Sequence, residues 1–216
     1  MATTAMPSFG DDAPPYWAEA CRHLMKRDRV MKKLIPLHSG VSLQSRGDAF
    51  VTLARSIVGQ QISVKAAQTV WERFILLPKK LVPAQVLKLK VDDMRAAGLS
   101  ARKVEYLVDL ALHFANNQVH VDAWAEMDDE AIIAELVAIR GIGRWSAEMF
   151  LIFHLMRPNV LPLDDNGLQS GISRCYFSGE PVSRSEIREV AASWAPYCSV
   201  ATWYIWRSLD PVPVAY

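Results

Sequence analysis

Residues 136–167, LVAIRGIGRWSAEMFLIFHLMRPNVLPLDDNG, hold two features whose residue types and spacing could carry chemistry. The first is a tight glycine turn, Gly141-Ile142-Gly143, between two apolar helical patterns. Glycines open backbone geometry closed to other residues. A turn that exposes successive N–H groups at a helix N-terminus is an anion site, because the dipole and the unpaired donors both favour phosphate. Such a device holds a nucleic-acid backbone without reading bases. An ordinary αα-hairpin uses the same glycines, so the triplet by itself does not separate the two. The second feature is a pair of adjacent acids, Asp164 and Asp165, after Pro162. They are either caps of the helix that opens at NGLQ or one half of a site whose other half is the turn.

Chain geometry permits the second arrangement. A helix from Trp145 to Met156 is about 18 Å long, and an extended Arg157–Asp164 stretch reaches up to about 26 Å. Pro158 and Pro162 end the helix and favour extension. The chain is therefore able to run back beside its own helix and return the acids to the turn.

The elements that must position these residues are helices. After an N-terminal stretch, residues 1–13, expected to fray, PPYWAEACRHLMKRD places Trp17, Cys21, Leu24 and Met25 on one stripe. A short helix around RVMKKLIP and the loop HSGVSLQSRG follow. DAFVTLARSIVGQQ repeats apolar residues at helical spacing (Phe50, Leu53, Ala54, Ile57, Val58), and its end, GQQIS, carries a glycine and two amides. VKAAQTVWERFILL is a further helix, closed by Pro78. PAQVLKLK and DDMRAAG are short, the second with Asp92 or Asp93 as cap and Gly98 as stop. SARKVEYLVDLALHFANNQ opens on a Ser100 cap, and DDEAIIAELVAIR on Asp128 and Asp129. NGLQSGISRCYF, SRSEIREVAASWAP and SVATWYIWRSL complete about ten to twelve helices. The Val/Ile/Thr-rich runs of period two that a sheet needs are missing, so the expected fold class is all-α.

Composition narrows the function classes. A chain of 216 residues, half of them apolar, suits one large domain or two small ones sharing a cleft. A net charge of +1 excludes a basic tail or a polyanion-coating surface, so any nucleic-acid binding must rest on local devices. Cys21, Cys175 and Cys198 form no CxxC pair, which supports neither a zinc nor an iron–sulfur site. They read as reduced thiols of a cytosolic compartment. No secretory start and no membrane-spanning run occurs.

The whole string around the turn, apolar–x–Gly–Ile–Gly–Arg–x–small–Ala, resembles the helix–hairpin–helix of the DNA glycosylase superfamily. In that group a Gly/Pro-containing loop and an aspartate follow, and LPLDDNGLQSGI matches them. ARSIVGQQISVKAA, MRAAGLSARKVEYLVDLA and WAPYCSVATWYIWRSLD are similar to segments of its alkyladenine (3-methyladenine) branch. Together these cover about residues 45–210, with four motifs in order.

The resemblance implies a two-lobed all-α fold with a cleft between the lobes. Residues 1–45 would pack with a C-terminal lobe. Residues 46–162 would form a central lobe, its hairpin at about 128–156, and residues 163–216 the catalytic loop and C-terminal helices. The residues ahead of position 45 are too few for the extra β-rich N-terminal domain of one relative. The implied activity is hydrolysis of the N-glycosidic bond of 3- or 7-methylated purines in duplex DNA, after flipping the nucleotide out. In the family register Asp165, with Leu168 three positions on, is the catalytic carboxylate, and Asp164 caps or orients. The carboxylate would stabilise positive charge building on the sugar and position the attacking water.

Where family members that also cut the strand carry a Schiff-base lysine, this chain has Trp145, so the expectation is a monofunctional enzyme without lyase activity. Trp145 and Tyr197 align with pocket walls. Met149 and Asn166 stand where some relatives are aromatic, and Cys198 replaces a basic residue. Trp17, Trp71, Trp124 and Trp203 are assigned to core packing. Gly141, Ile142 and Gly143 would meet the DNA backbone, with Arg144, Ser146 and Lys65 either touching phosphates or simply solvated. In GQQIS, Gln61 is the aligned intercalating side chain and Ile62 its neighbour, while Gln60 either meets DNA or bonds backbone. Hydrolysis requires no cofactor, and a structural monovalent cation would sit at the carbonyls of Gly141 and Gly143. The expected partner is double-stranded DNA with alkylated bases, bound by a monomer without membrane association, in the cytoplasm and nucleoid-associated if the chain is bacterial. The alternatives are a glycosylase for deaminated or oxidised bases and a non-catalytic helix–hairpin–helix DNA-binding protein.

Overall fold

A computed structural model describes residues 13–45 and 47–209; the stretch expected to fray lies, apart from Ala13, outside them. Among the described residues there are twelve α-helices, one 3-10 turn and no strand. They form two compact units. One holds the described residues up to Ser45 together with those from Leu151 on, and the other those between Arg46 and Phe150.

The second unit contains α3 (Ala49–Gly59), α4 (Val64–Ile75), α5 (Pro83–Val86), α6 (Val91–Ala96), α7 (Ala101–Ala115) and α8 (Asp129–Val137). Side-chain caps set most of its helix starts: Asp48 accepts from Val51 N, Ser63 from Ala66 N, Ser100 from Lys103 N and Asp128 from Ala131 N. Each satisfies a donor that the helix itself leaves unpaired. Asp129 is the first helical residue rather than a cap. The expected cap of α6 is corrected: Lys90 holds the extended N-cap conformation and no side chain caps it. Asp92 and Asp93 fall in the first turn, where acids still complement the dipole. Gly98 stops α6 at φ +102. The apolar stripe Phe50, Leu53, Ala54, Ile57 and Val58 is wholly buried, and α3 packs on α4 and α7.

The first unit contains α1 (Trp17–Arg27), α2 (Met31–Leu37), α10 (Asn166–Tyr176), α11 (Arg184–Ala191) and α12 (Cys198–Leu209). Trp17 is fully buried, edge-on to Trp203 at 5.3 Å and tilted against Tyr204 at 5.9 Å. Gly171 lets α10 approach α12: a Cβ there would lie 2.2 Å from Ile205 Cγ2. Asp28, buried between α1 and α2, is a hub. Its Oδ1 accepts from the backbone N–H groups of Val30 (2.7 Å) and Met31 (3.0 Å). Its Oδ2 accepts from Tyr176 (2.7 Å) and Trp194 Nε1 (2.9 Å). A buried carboxylate is tolerated only with such a donor set. Burial first, and then the bond to Asp28, push the Tyr176 hydroxyl well above its usual range.

The boundary between the units falls within α9 (Arg144–Phe153), after Phe150. α9 ends earlier than the expected Met156, which instead has φ +56. The stretch 154–165 is not one extended strand: it turns at Pro158–Asn159 and Leu163–Asp164. Buried Ser199, at the start of α12, holds this stretch. Its Oγ donates to Arg157 O at 2.6 Å and accepts from Val160 N at 2.9 Å.

Candidate functional site: a hairpin turn and a capping carboxylate

The hairpin belongs to the unit of α3–α8. Gly141 takes φ +82, and a Cβ on it would meet the Tyr106 ring at 2.2 to 2.7 Å. Glycine is thus required there by conformation and by space. Gly143 does not share this requirement: its φ is ordinary and open space surrounds its Cβ position. What a hydrogen side chain leaves at Gly143 is room for another backbone to approach. Ile142 is buried and its N–H donates to Ile139 O. Asp109 Oδ2, on α7, accepts from Arg140 N at 2.8 Å.

Gly143 O accepts from Ala147 N at 3.0 Å, and Gly141 O accepts from Gln60 Nε2 at 2.8 Å. A cation at these carbonyls would share each with that bond through its second lone pair. No group of three His, Cys, Asp or Glu suited to a metal ion occurs among the described residues.

Arg144 donates through both terminal nitrogens to Glu130 and through Nε to Glu148 at 3.0 Å. The bond to Glu130 raises its already high pKa further. Trp145 is 39 % exposed, Ser146 is half-buried, and Met149 is buried. In the GQQIS loop, Gln60 closes α3 and its amide donates to Gly141 O, the backbone bond that is one of its two expected roles. Gln61 holds φ +58, a conformation uncommon for a non-glycine residue. Ile62 and Val64 are 40 % and 75 % exposed, an apolar tip on solvent, and Lys65 is exposed beside them.

The acids lie in the other unit. Asp165 is 7 % exposed and is the N-cap of α10. Its Oδ1 accepts from Leu168 N at 2.6 Å and from Trp206 Nε1 at 2.7 Å. The two roles expected for an acid here, helix cap and candidate catalytic carboxylate, therefore fall on one buried group. Asp164 does not cap; it is half exposed and paired with Arg184. Trp206, on α12, stacks on Phe153 with centroids 5.6 Å apart and planes 11° apart. Gly167 makes this contact possible, since a Cβ there would lie 2.9 Å from Trp206 Cδ1 and 3.1 Å from Asp165 Oδ1. Asn166, the first residue of α10, is exposed. Tyr197 stacks on Tyr16 at 6.5 Å and meets His23 edge-on at 5.3 Å. No motif of the sequence marks Trp206 or Phe153 as a site residue. The i, i+3 pair Trp203–Trp206 near the end of the chain was the signal available for the former: one indole faces the core, and the next reaches the carboxylate.

One unit thus carries the glycine turn and a loop with an apolar exposed tip, and the other a buried carboxylate bonded to an indole. The chain belongs to the HhH-GPD superfamily of base excision DNA repair proteins, whose pattern matches residues 54–196. It is 29 % identical to DNA-3-methyladenine glycosylase 1 of Schizosaccharomyces pombe over 194 residues, covering 86 % of this chain and 85 % of that one. Its fold matches a DNA-3-methyladenine glycosidase of Bacillus halodurans with a TM-score of 0.83 at 32 % identity, covering 88 % and 89 % of the two chains. A second solved structure, the S. pombe 3-methyladenine DNA glycosylase in complex with abasic DNA, matches with a TM-score of 0.73 at 27 % identity, covering 88 % of this chain and 96 % of that one. No helix among the described residues is long and apolar enough to cross a membrane.

Proposed function

We propose that this chain is a monofunctional DNA glycosylase that hydrolyses the N-glycosidic bond of 3- and 7-methylated purines in duplex DNA. The observation that carries this reading is the buried Asp165 carboxylate, whose orientation is fixed by the N–H groups of Leu168 and Trp206. As the base leaves, positive charge builds on the sugar. A carboxylate already oriented stabilises that charge without reorganising, and it positions the attacking water. An alkylated purine is cationic, so aromatic faces such as that of Trp206 attract it. It is also a good leaving group and needs little acid assistance. The glycine turn and the first turn of α9 supply backbone donors to a DNA phosphate, and the tip at Gln61 and Ile62 fills the gap left by the flipped nucleotide. Trp145 offers no amine for a Schiff base, which accords with hydrolysis alone. A substrate of this kind puts the protein with the DNA, in the cytoplasm, nucleoid-associated in a bacterium.

Asp165→Asn tests the assignment cleanly, because asparagine caps a helix as well as aspartate and α10 keeps its start. Release of methylpurine should fall by on the order of 10²- to 10⁴-fold, with an unchanged melting temperature. No borohydride-trapped covalent complex with DNA should form with either protein. Equal activity of wild type and variant defeats the site, and a wild type that releases no methylpurine defeats the function.

A further inference from the structure

The end of α3 and the hairpin turn, 81 positions apart in the chain, are joined by one side-chain amide: Gln60 Nε2 donates to Gly141 O at 2.8 Å. Each partner is at, or next to, a left-handed residue. Gly141 is the left-handed residue of the turn, and Gln60 leads directly into left-handed Gln61. Helix α7 supports the two from beneath. Lys103 Nζ donates to Val58 O, in the last turn of α3, at 2.7 Å. Tyr106 fills the space under Gly141, and Asp109 accepts from Arg140 N. Lys103, Tyr106 and Asp109 follow one another at intervals of three, on one side of the helix. Burial pulls the Lys103 ammonium below its usual range, a cost that its bond to the Val58 carbonyl offsets.

We infer that Gln60 is a positioning residue that locks the hairpin turn to the 60–63 loop on α7, so that the device gripping the DNA backbone and the device entering the helix stack move as one body. The inference rests on the function proposed above and deepens it. It removes Gln60 from direct DNA contact, since its amide is turned inward, and leaves the gap-filling role to Gln61 and Ile62. It also states why the loop keeps its strained residue: a free-standing loop would relax Gln61, whereas a locked one holds it.

The test compares the full-length wild type with Gln60→Leu, close in volume but without a donor, and Gln60→Glu, whose carboxyl donates to Gly141 O only when protonated. Three quantities are measured: hydrogen exchange of the amides at 139–143 in the free protein, affinity for a duplex with a tetrahydrofuran abasic analogue, and the single-turnover rate on a duplex with one 7-methylguanine. Gln60→Leu should exchange about tenfold faster at the turn, bind the abasic duplex within about threefold of wild type, and lose about tenfold in rate. Gln60→Glu, ionised at pH 7, has no proton to give Gly141 O and should lose at least as much as Gln60→Leu at both the turn and the rate. Unchanged exchange and rate in Gln60→Leu overturn the inference. So does an equal loss of abasic affinity and rate, which would mean that the side chain touches DNA. If wild type releases no base, the proposed function falls, while the exchange measurement still decides whether Gln60 locks the turn.

Discussion

Replacing Trp206 by phenylalanine isolates one hydrogen bond at the carboxylate. Phenylalanine keeps an aromatic ring to stack on Phe153, and it removes the Nε1–H that donates to Asp165 Oδ1 at 2.7 Å. The bond is to a charged acceptor, a class worth about 1.5–3 kcal/mol. If the carboxylate needs that donor to face the sugar, most of this energy is felt in the transition state. The rate should then fall roughly 10- to 150-fold, at 1.36 kcal/mol per factor of ten. Folding should suffer little, because Trp206 is only half-buried and Leu168 N still anchors the same oxygen. The assay is single-turnover release of 7-methylguanine from a duplex, run in the wild-type and in the Asp165→Asn background. An indole that acts through the carboxylate loses its effect once the carboxylate is gone, so the two changes should be far from additive. A rate within twofold of wild type, or the same loss in both backgrounds, refutes the reasoning.

Three further outcomes follow from the geometry. Gly167→Ala adds a Cβ 2.9 Å from Trp206 Cδ1 and should push the indole off Asp165, lowering the rate as far as Trp206→Phe does. Its melting temperature should fall slightly, since the displaced indole loses its bond to Asp165 and Gly167 stands in the first turn of α10, where alanine gains little over glycine; full activity would show that the indole is not needed. Asp28→Ala strands the Tyr176 hydroxyl and the Trp194 indole N–H without their acceptor, costing about 3–5 kcal/mol. The melting temperature should drop on the order of 10 °C, and a melt indistinguishable from wild type would contradict the hub. Burial pushes the thiols of Cys21 and Cys198 up to about 11, so at pH 8 only about one in a thousand is thiolate. A disulfide exchange reagent should therefore modify at most Cys175 in the native protein and all three thiols on unfolding; rapid reaction of two in the native state would count against the buried placement.

The helices were legible because apolar spacing and caps are local. Phe50, Leu53, Ala54, Ile57 and Val58 announce a buried stripe, and Ser63, Ser100 and Asp128 each stand one residue before a helix and bond three residues on. The register of Asp165 with Leu168, on which the resemblance made it the candidate carboxylate, is also what makes it the cap. What the sequence concealed is long-range. Nothing near Asp28 points to Trp194, Ser199 pins a loop some forty residues upstream of it, and Trp206 meets Asp165 across 41 positions. Gly141 and Gly143 look equivalent in the string, yet Tyr106 makes only the first indispensable. Asp92, Asp93 and Asp164 have the right residue type for caps but sit off the N-cap position by one to three residues.

The unit that holds Asp165 is assembled from two distant parts of the chain, and this has a consequence for synthesis. Cys21 packs against Tyr204, 183 positions later. At roughly 5–20 residues per second, the ribosome needs roughly ten to forty seconds between making α1 and making the helix that covers it. Throughout that interval the stripe of Trp17, Ala20, Cys21 and Leu24 has no native cover from α12, whereas α3 to α8 have every partner of their own unit once Phe150 is made, before α12 begins. The nascent protein thus acquires its hairpin well before its carboxylate is set, and α1, made ahead of α3 to α8, is covered by α12 only after them.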